Sequence, residues 1–353
     1  MSGGGSGGHV FPAIAIADAI KKLAPDTEFL FVGALGKLEM TAVPKAGYEI
    51  KGLPIAGFQR KLSFSNVLFP FKLIFSLIKA WFIVKRFKPD AAIGTGGYAS
   101  GAALKVAQWQ RVPSFIQEQN AQPGVTNKLL AKDVVKVFAA YPGLEKFFAK
   151  DKISITGNPL RGSISIDRLT KESALKHFDL VVGKPTIFVT GGSLGASAIN
   201  KAIAYQIELL ESKGIQLIWQ CGKFYEEEYK KYDSKQVKVL SFIDRMDCAY
   251  AAADIIISRA GGTISELAII AKPTILLPSP NVSEDHQTKN VIALVEKDAA
   301  VLIKDINANE QLVPNAIALL EDKNQQEKLS RNIKLFAKPN AANEIAQTIL
   351  GQL

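Results

Sequence analysis

The stretch that decides the fold is residues 186–203, TIFVTGGSLGASAINKAI. Its first five residues are apolar or β-branched and predict a buried strand, and the glycines that follow allow a tight turn. Small apolar residues after the turn predict a helix. A strand, a glycine-rich turn and a helix in this order are typical of α/β proteins with parallel sheets.

The N-terminus repeats part of this pattern. Residues 2–20, SGGGSGGHVFPAIAIADAI, form a glycine-rich turn that opens a helix of small apolar residues. Two Rossmann-like domains in tandem, facing a cleft, are therefore predicted. Only Met1 and Ser2 precede this turn, so the first strand of the N-terminal domain is expected to be missing. Such a loss would leave unpaired backbone groups and an apolar hole.

Short β-branched runs alternate with helical patterns along the rest of the chain, which favours an α/β fold. Strands are predicted at residues 27–32, 91–93, 113–117, 135–139, 186–190, 216–220, 237–240, 255–258, 274–277 and 300–303. Closing helices are predicted at residues 309–320, 324–334 and 341–350. A segment rich in Gly, Pro and Ser, residues 156–168, predicts the linker. The predicted domains are residues 1–160 and 161–338, followed by a C-terminal helix within 339–353 that packs back on the first domain.

The composition is that of a globular protein. A length of 353 residues corresponds to about two domains. Apolar residues make up 48% and charged residues 22%, which excludes a largely disordered chain. The two cysteines and three histidines show no metal-ligand spacing, and no strand ends in Asp-X-Asp. Neither a metal site nor a cofactor is predicted.

The positive charge is concentrated in one apolar stretch. The formal net charge is +10, and residues 50–89 contain no Asp or Glu but eight Lys or Arg. A membrane-spanning helix needs ~20 apolar residues, whereas residues 73–84 are fewer and include Lys79. The pattern favours a surface that lies in the headgroup region of an anionic membrane, and a core helix with solvated lysines is the alternative. Nucleic acid is disfavoured because the apolar residues are mainly aliphatic.

Several polar positions coincide with glycine turns or strand ends. Glycine turns at helix N-termini can bind diphosphates, or can simply connect a strand to a helix. Glu266 is either a ribose ligand or a favourable charge at a helix N-terminus. His9 has the side chain of a general base, with an ordinary pKa of ~6.5, although a lone histidine is more often a polar surface group. Arg161 could neutralise a leaving diphosphate.

Together the motifs resemble the MurG family of UDP-N-acetylglucosamine–N-acetylmuramyl-(pentapeptide) pyrophosphoryl-undecaprenol N-acetylglucosaminyltransferases. They run in family order over nearly the whole chain: GGGSGGH (3–9), GTGGYASG (94–101), EQN (118–120), GNPLR (157–161), GGSLGA (191–196), FIDRM (242–246), SRAGGTISE (258–266) and DHQTKN (285–290). The resemblance implies a GT-B fold. It also implies inverting, metal-independent transfer of N-acetylglucosamine from its UDP donor to the muramyl 4-hydroxyl of the undecaprenyl-linked acceptor, lipid I. The product, lipid II, serves peptidoglycan synthesis, and with it cell shape and division.

The resemblance also implies a role for each matching residue. His9, or alternatively Glu118, is the catalytic base. The implied donor-binding residues are Ser6, Gly7, Gly8, Asn120, Arg161, Ser193, Ile243, Glu266 and Gln287. The implied acceptor-binding residues are Gly96, Gly97, Tyr98 and Ser100, and the implied membrane-docking residues are Leu73, Leu77, Trp81 and Phe82. The sequence departs from the family pattern in three places. Ser6 replaces the usual Thr, Ala102 replaces the usual Pro, and the segment 260–263 is one residue shorter than the usual family segment.

The resemblance further implies a peripheral protein on the cytoplasmic face of the bacterial plasma membrane. Its expected partners are UDP-N-acetylglucosamine, the undecaprenyl-linked muramyl pentapeptide and an anionic membrane surface, with other cell-wall synthesis proteins as candidates and no nucleic acid. The alternatives are another GT-B lipid glycosyltransferase, a sugar-nucleotide epimerase, and a non-catalytic nucleotide-sugar-binding protein because of the two apparent deletions. A Rossmann-type oxidoreductase is the most distant alternative.

Overall fold

The computed structural model describes residues 1–55, 69–160, 169–192, 194–282 and 285–353, without the side chain of His286. The chain divides into two compact units. The first comprises Met1–Arg161 with Lys338–Leu353, and the second comprises Gly162–Ala337. Both are α/β structures with parallel strands, so the predicted fold class is confirmed.

The described strands are, in chain order, β1 Leu30–Ala34, β2 Glu49–Leu53, β3 Ala92–Gly94, β4 Ser114–Glu118, β5 Lys136–Ala139, β6 Ile153–Ile155, β7 Thr186–Thr190, β8 Gln216–Gln220, β9 Val237–Leu240, β10 Ile255–Arg259, β11 Thr274–Leu277 and β12 Val301–Leu302. The described helices are α1 Gly7–Leu23, α2 Glu39–Lys45, α3 Phe69–Phe87, α4 Tyr98–Trp109, α5 Val125–Leu130, α6 Lys171–His177, α7 Ser197–Tyr205, α8 Ile207–Ser212, α9 Glu226–Tyr229, α10 Met246–Ala252, α11 Thr263–Ile270, α12 His286–Val295, α13 Ala308–Glu321, α14 Lys323–Lys334 and α15 Ala341–Leu350.

The sheet of the first unit has two parts, and the N-terminal residues join them. Strands β1 and β2 form one pair, and β3-β4-β5-β6 form the other part. Ser2 bridges Val32 of β1 and Gly94 of β3 in parallel. The Ser2 N–H donates to the Ile93 carbonyl at 2.8 Å, and the Val32 N–H donates to the Met1 carbonyl at 2.9 Å. Two residues thus occupy the position where the sequence predicts a missing strand, so the expected loss of pairing there is only partial.

A cavity of about 600 Å³ lies beside this bridge, within the first unit. Its lining includes Met1 and apolar side chains such as Phe29, Val84, Leu104 and Ile349. The Met1 ammonium group donates to the Leu30 carbonyl at 2.9 Å, and burial lowers the pKa of this group to about 5. The hole that the sequence predicts therefore has a counterpart beside Met1 and Ser2, but its lining is mixed and also includes Asp26, Glu28 and Lys88.

The second unit is a six-stranded parallel sheet in the order β12-β11-β10-β7-β8-β9. Along β7, Ile187 and Val189 pack in one apolar cluster, whereas Phe188 packs in another. Successive side chains of a strand point to opposite faces. Both faces of this sheet are therefore covered, as expected for parallel strands.

The predicted strands correspond to ten of the described ones, and two further strands were not predicted. Strand β2 is polar at Glu49 and Lys51, and β6 is only partly buried, with Ile155 exposed, so neither gives a buried apolar run. The final helix, α15, contributes Ile345 and Ile349 to a cluster with Ile16 of α1, so it belongs to the first unit.

Candidate active site

The first glycine turn leads directly into helix α1. Gly5 has φ +87°, a conformation that side chains with a Cβ rarely adopt. Ser6 is the extended residue before the helix, and Gly7 and Gly8 begin the helix itself. Ser6 and Gly8 are exposed. The turn therefore presents backbone N–H groups and one hydroxyl at a helix N-terminus, the arrangement that favours an anion.

His9 is oriented by the turn that precedes it. Its Nδ1 lies 3.0 Å from the Gly4 carbonyl oxygen and 3.4 Å from the Ser6 Oγ. Because a carbonyl can only accept, this contact assigns the proton to Nδ1 and leaves Nε2 as an acceptor. A Cβ placed on Gly96 would lie 3.0 Å from Nε2, so the ring packs directly on that glycine. His9 is half-buried.

The turn at residues 94–97 interlocks with the first glycine turn. Gly96 and Gly97 have φ values of +100° and +89°, and a Cβ on Gly97 would lie 2.3 Å from the Gly4 carbonyl oxygen. The Gly4 N–H donates to the Gly96 carbonyl at 3.2 Å, and the Thr95 hydroxyl donates to the His9 carbonyl at 2.7 Å. The predicted base, His9, and the turn at residues 94–97 are thus in contact, although His9 and Thr95 are 86 residues apart in the chain.

The remaining predicted acceptor residues differ in exposure. Tyr98 is 48% exposed at the first position of α4. Ser100 is fully buried, and a Cβ on Gly94 would lie 2.5 Å from its Oγ. This hydroxyl has no hydrogen-bond partner among the residues that the structure describes. Ser100 therefore lies beneath the turn, whereas Tyr98 lies on its exposed side.

Glu118 is a buried carboxylate whose two oxygens both accept hydrogen bonds. Oε1 accepts from the Asn120 N–H at 3.0 Å and from its Nδ2 at 3.3 Å. Oε2 accepts from the Asn127 Nδ2 at 2.8 Å and from the Gly124 N–H at 3.1 Å. Burial raises the pKa of this carboxyl, and the four hydrogen bonds oppose that rise. The arrangement holds the loop after β4 in place, including Asn120.

Two further amides connect this loop to its neighbours. The Gln119 Nε2 donates to the Thr95 carbonyl at 2.7 Å. The Asn158 Nδ2 donates to the Gln119 carbonyl at 3.2 Å, and its Oδ1 accepts from the Gln117 Nε2 at 2.9 Å. These side chains fix the ends of β3 and β4 relative to each other, and hence the turn that contacts His9.

In the second unit, the glycine turn after β7 packs against the backbone at the end of β8. A Cβ on Gly195, which has φ +82°, would lie 2.1 Å from the Cys221 carbonyl oxygen. The Asn200 Nδ2 donates to the same carbonyl at 2.8 Å. The Gly192 N–H donates to the Thr190 Oγ1 at 3.1 Å. Ser193 of this turn lies outside the described residues, as does Arg161.

Glu266 lies in the first turn of α11, where its Oε2 accepts a hydrogen bond from the Tyr250 hydroxyl at 2.7 Å. Tyr250 is fully buried, and burial together with the Glu266 charge raises the pKa of its hydroxyl. The hydrogen bond therefore gives Glu266 a defined position on the first turn of the helix.

The turn before α11 has two more fixed contacts. Gln287 accepts a hydrogen bond from the Ser279 N–H at 2.8 Å, and its Nε2 lies 3.7 Å from a Cβ placed on Gly261. Arg259 forms a two-pronged ion pair with Asp305, in which Nη2 and Oδ2 are 2.9 Å apart. Ile243, whose backbone is the predicted uracil contact, has a buried side chain before α10. Among the described residues no cluster of His, Cys, Asp or Glu could hold a metal ion.

Helix α3 carries an exposed apolar face. Ser76, Ala80 and Val84 are its buried positions, spaced by four residues, so one side packs on the unit. The opposite side exposes Phe71, Ile74, Phe75, Ile78, Trp81 and Phe82. Of the predicted membrane-docking residues, Leu73 and Leu77 are half-buried against the core, whereas Trp81 and Phe82 are exposed. In the part of the chain that the structure describes, no helix is both long and apolar enough to span a membrane.

Sequence reasoning missed three side chains that hold these sites in place: Glu39, Gln119 and Tyr250. Gln119 lies within the EQN motif, but the resemblance assigns no role to it. Glu39 and Tyr250 lie outside every motif. Their hydrogen-bond partners, Gly5 and Glu266, are 34 and 16 residues away in the chain. No local pattern could have identified them.

Comparison with known proteins gives a consistent picture. Residues 1–139 match the model of the Glycosyltransferase family 28 N-terminal domain, and residues 186–347 match that of the C-terminal domain. A Flavobacterium psychrophilum protein named UDP-N-acetylglucosamine–N-acetylmuramyl-(pentapeptide) pyrophosphoryl-undecaprenol N-acetylglucosamine transferase is 54% identical over 353 residues, covering 99% of this chain and 96% of that protein. A Cytophaga hutchinsonii protein of the same name is 53% identical over 350 residues, covering 99% and 95%.

Solved structures show the same similarity. The crystal structure of Acinetobacter baumannii MurG matches with a TM-score of 0.77 and 26% identity, covering 99% of this chain and 98% of that one. The UDP-GlcNAc 2-epimerase from Neisseria meningitidis, bound to UDP-GlcNAc, matches with a TM-score of 0.69 and 15% identity, covering 97% and 96%. At that identity the second likeness concerns the fold alone.

Proposed function

The chain belongs to glycosyltransferase family 28, and from this premise we propose that it transfers N-acetylglucosamine from UDP-N-acetylglucosamine to lipid I, the undecaprenyl-pyrophosphoryl-linked muramyl pentapeptide. The relatives at 54% and 53% identity carry the name of this activity over almost their whole length. The product is lipid II, the precursor used in peptidoglycan synthesis.

The observation that carries the mechanism is the orientation of His9. The Gly4 carbonyl accepts the Nδ1 proton, so in the neutral ring Nε2 is the nitrogen that accepts the proton of the muramyl 4-hydroxyl. The hydroxyl oxygen then attacks the anomeric carbon from the side opposite UDP. The bond from that carbon to the diphosphate breaks, the proton remains on His9, and the configuration is inverted.

Glu118, the alternative base, is better placed to position the loop. Each of its oxygens already accepts two hydrogen bonds from residues 120–127. A proton acceptor in catalysis needs an approachable lone pair, and Glu118 is 1% exposed. We therefore assign proton removal to His9 and the orientation of Asn120 to Glu118.

We assign donor binding mainly to the second unit. Glu266, held by the Tyr250 hydroxyl, is the proposed acceptor of hydrogen bonds from a ribose, and Gln287 lies close to Gly261 before the same helix. The turn 191–196 at the N-terminus of α7 suits the diphosphate. Ser193 and Arg161 remain the proposed side-chain ligands of that diphosphate, where they would stabilise the charge on the departing UDP.

We place the acceptor and the membrane on the first unit. The exposed face of α3 repeats at positions 71, 74, 75, 78 and 82, which is the spacing of one helical stripe. Lys72, Lys79, Lys85 and Arg86 lie on the same helix, which has no acidic residue. Apolar area flanked by cations favours a peripheral position on an anionic leaflet, here the cytoplasmic face of the plasma membrane.

The activity is tested by transfer of radiolabelled N-acetylglucosamine from its UDP donor to a short-chain lipid I analogue. We expect labelled disaccharide product, and the same rate with EDTA present. Absence of product while UDP-N-acetylglucosamine still binds would instead support a non-catalytic nucleotide-sugar-binding protein. Loss of product on EDTA addition would contradict the metal-independent mechanism.

The membrane surface is tested by sedimentation with vesicles of phosphatidylcholine, with and without phosphatidylglycerol. We expect binding to the anionic vesicles, and a loss of about a hundredfold or more in the double variant Phe75→Ser, Phe82→Ser, since each buried aromatic side chain contributes about 1.5–3 kcal/mol. Phe224→Ser is the matched control, because Phe224 is 76% exposed in the second unit. Equal binding by all three proteins would exclude α3 as the docking surface.

A further inference from the structure

Glu39 is a buried carboxylate that takes no direct part in the proposed reaction. It begins α2 and is fully buried. No lysine or arginine within the described ranges forms an ion pair with it. Burial of a carboxylate is costly unless its oxygens are hydrogen-bonded. Both oxygens of Glu39 accept such bonds, Oε1 from the Ala34 N–H at 2.9 Å and Oε2 from the Gly5 N–H at 3.0 Å.

Two glycines make the space that Glu39 occupies. A Cβ on Gly4 would lie 2.2 Å from the Glu39 Oε1, and a Cβ on Gly33 would lie 2.5 Å from its Cγ. No other residue type could stand at either position without displacing the carboxylate. The side chain is therefore enclosed between the first glycine turn and the end of β1.

The hydrogen bond to Gly5 acts on the peptide unit that orients His9. The Gly5 N–H and the Gly4 carbonyl belong to the same planar peptide, in which they point in opposite directions. Glu39 accepts from the N–H at 3.0 Å, and the His9 Nδ1 lies 3.0 Å from the carbonyl oxygen. One peptide plane thus connects the carboxylate to the imidazole, and hydrogen bonds in series of this kind polarise one another.

We propose that Glu39 is a positioning residue that holds the Gly4–Gly5 peptide in the orientation that receives the Nδ1 proton of His9. Glycines leave the turn free to rotate this peptide when the carboxylate is absent. A rotated peptide would direct the N–H at His9 and favour the opposite tautomer, with the proton on Nε2. The part of the inference that concerns catalysis rests on the proposed role of His9 as base, whereas the tautomer does not.

The tautomer is measurable by NMR of protein with ¹⁵N-labelled histidine, since the chain has only three histidines. We expect the neutral His9 ring to carry its proton on Nδ1, and the Gly5 amide proton to exchange slowly with solvent. In Glu39→Gln, which keeps the shape but directs an NH₂ at one of two N–H donors, we expect loss of the single Nδ1–H tautomer. A His9 proton on Nε2 in the unaltered protein would overturn the proposal whether or not any variant folds.

Kinetics separate positioning from general destabilisation. We expect kcat to fall about tenfold in Glu39→Gln, with the KM for the donor within about twofold of the unaltered enzyme, because the proton acceptor is misoriented and the second unit is unchanged. Glu49→Gln is the matched control, since Glu49 is a surface carboxylate on β2 paired with Lys51 at 2.6 Å. It should change neither quantity.

The outcomes distinguish this inference from the proposed function. If the unaltered protein showed no transferase activity, the proposed function would fail, and a changed tautomer in Glu39→Gln would still support the positioning of His9. An unchanged tautomer and an unchanged kcat in folded Glu39→Gln would refute the positioning role and leave the proposed function intact.

Discussion

The two glycine turns, residues 3–8 and 191–196, have similar sequences but are held in different ways. The second follows the five-residue strand β7 and packs against the backbone of Cys221 and Gly222. The first follows only Met1 and Ser2, which pair with strands on both sides. It is fixed by the Glu39 carboxylate and by close contact with Gly96 and Gly97.

This difference shows that one local motif can serve two purposes. Backbone packing holds Gly195 of the second turn against Cys221 and Gly222, and we propose that this turn binds the diphosphate at the N-terminus of α7. Side-chain contacts from remote parts of the chain make the first turn a support for His9. We therefore expect changes in the first turn to affect turnover, and changes in the second turn to affect donor binding.

The largest effect is expected for His9→Ala. Loss of the base should lower kcat by about 10²–10⁴-fold, since this is the usual contribution of one proton transfer. Donor binding, measured by calorimetry with UDP, should be unchanged. His177→Ala is the control, because His177 is an exposed residue at the end of α6. Undiminished turnover in His9→Ala would remove His9 as the base.

An intermediate effect is expected for Gly97→Ala and Gly195→Ala. Both residues have positive φ, which costs a non-glycine residue about 1–2 kcal/mol, and an added Cβ would meet backbone at 2.3 Å and 2.1 Å, respectively. Both variants should therefore unfold at lower temperature. At a temperature where each is folded, Gly97→Ala should lose kcat and keep UDP binding, whereas Gly195→Ala should lose UDP binding.

Two matched glycines provide the control for backbone strain. Gly36 in the first unit and Gly214 in the second also have positive φ, but a Cβ on either would meet nothing within 4 Å. Gly36→Ala and Gly214→Ala should thus show the backbone strain of a positive φ without a steric clash. Both variants should keep the kcat and the UDP affinity of the unaltered protein. If Gly97→Ala and Gly195→Ala behaved alike in kcat and UDP binding, the functional contrast between the turns would be wrong.

The smallest effect is expected for Tyr250→Phe. This change keeps the ring, which packs edge-to-face on Phe188 at 5.5 Å, and removes the hydroxyl that donates to Glu266. One lost hydrogen bond to a carboxylate is worth about 1–3 kcal/mol, so the KM for the donor should rise about fivefold or more while kcat is maintained. Tyr205→Phe, at an exposed position of α7, is the control. A selective fall in kcat instead would place Glu266 in the chemical step.

Much of the fold was predictable because its signals are local. The strand, turn and helix at residues 186–203 are consecutive in the sequence and adjacent in the structure. The burial of β7 on both faces explains why its apolar run is continuous. The exposed face of α3 was less predictable. The apolar residues surround the helix, and the positions of Ser76, Ala80 and Val84 against the core decided that Phe71 and Phe75 would be exposed.

The sequence by itself determined the order of strands and helices, the glycine turns and the kinds of side chain available for catalysis. Only the tertiary structure decided what each carboxylate does. Glu118 accepts four hydrogen bonds from residues 120–127, Glu266 accepts from the Tyr250 hydroxyl, and Glu39 accepts from the turn that orients His9. The physical reason is that the hydrogen-bond donors around a carboxylate determine which groups it can hold in place. For Glu39 and Glu266, those donors come from parts of the chain that only folding brings near.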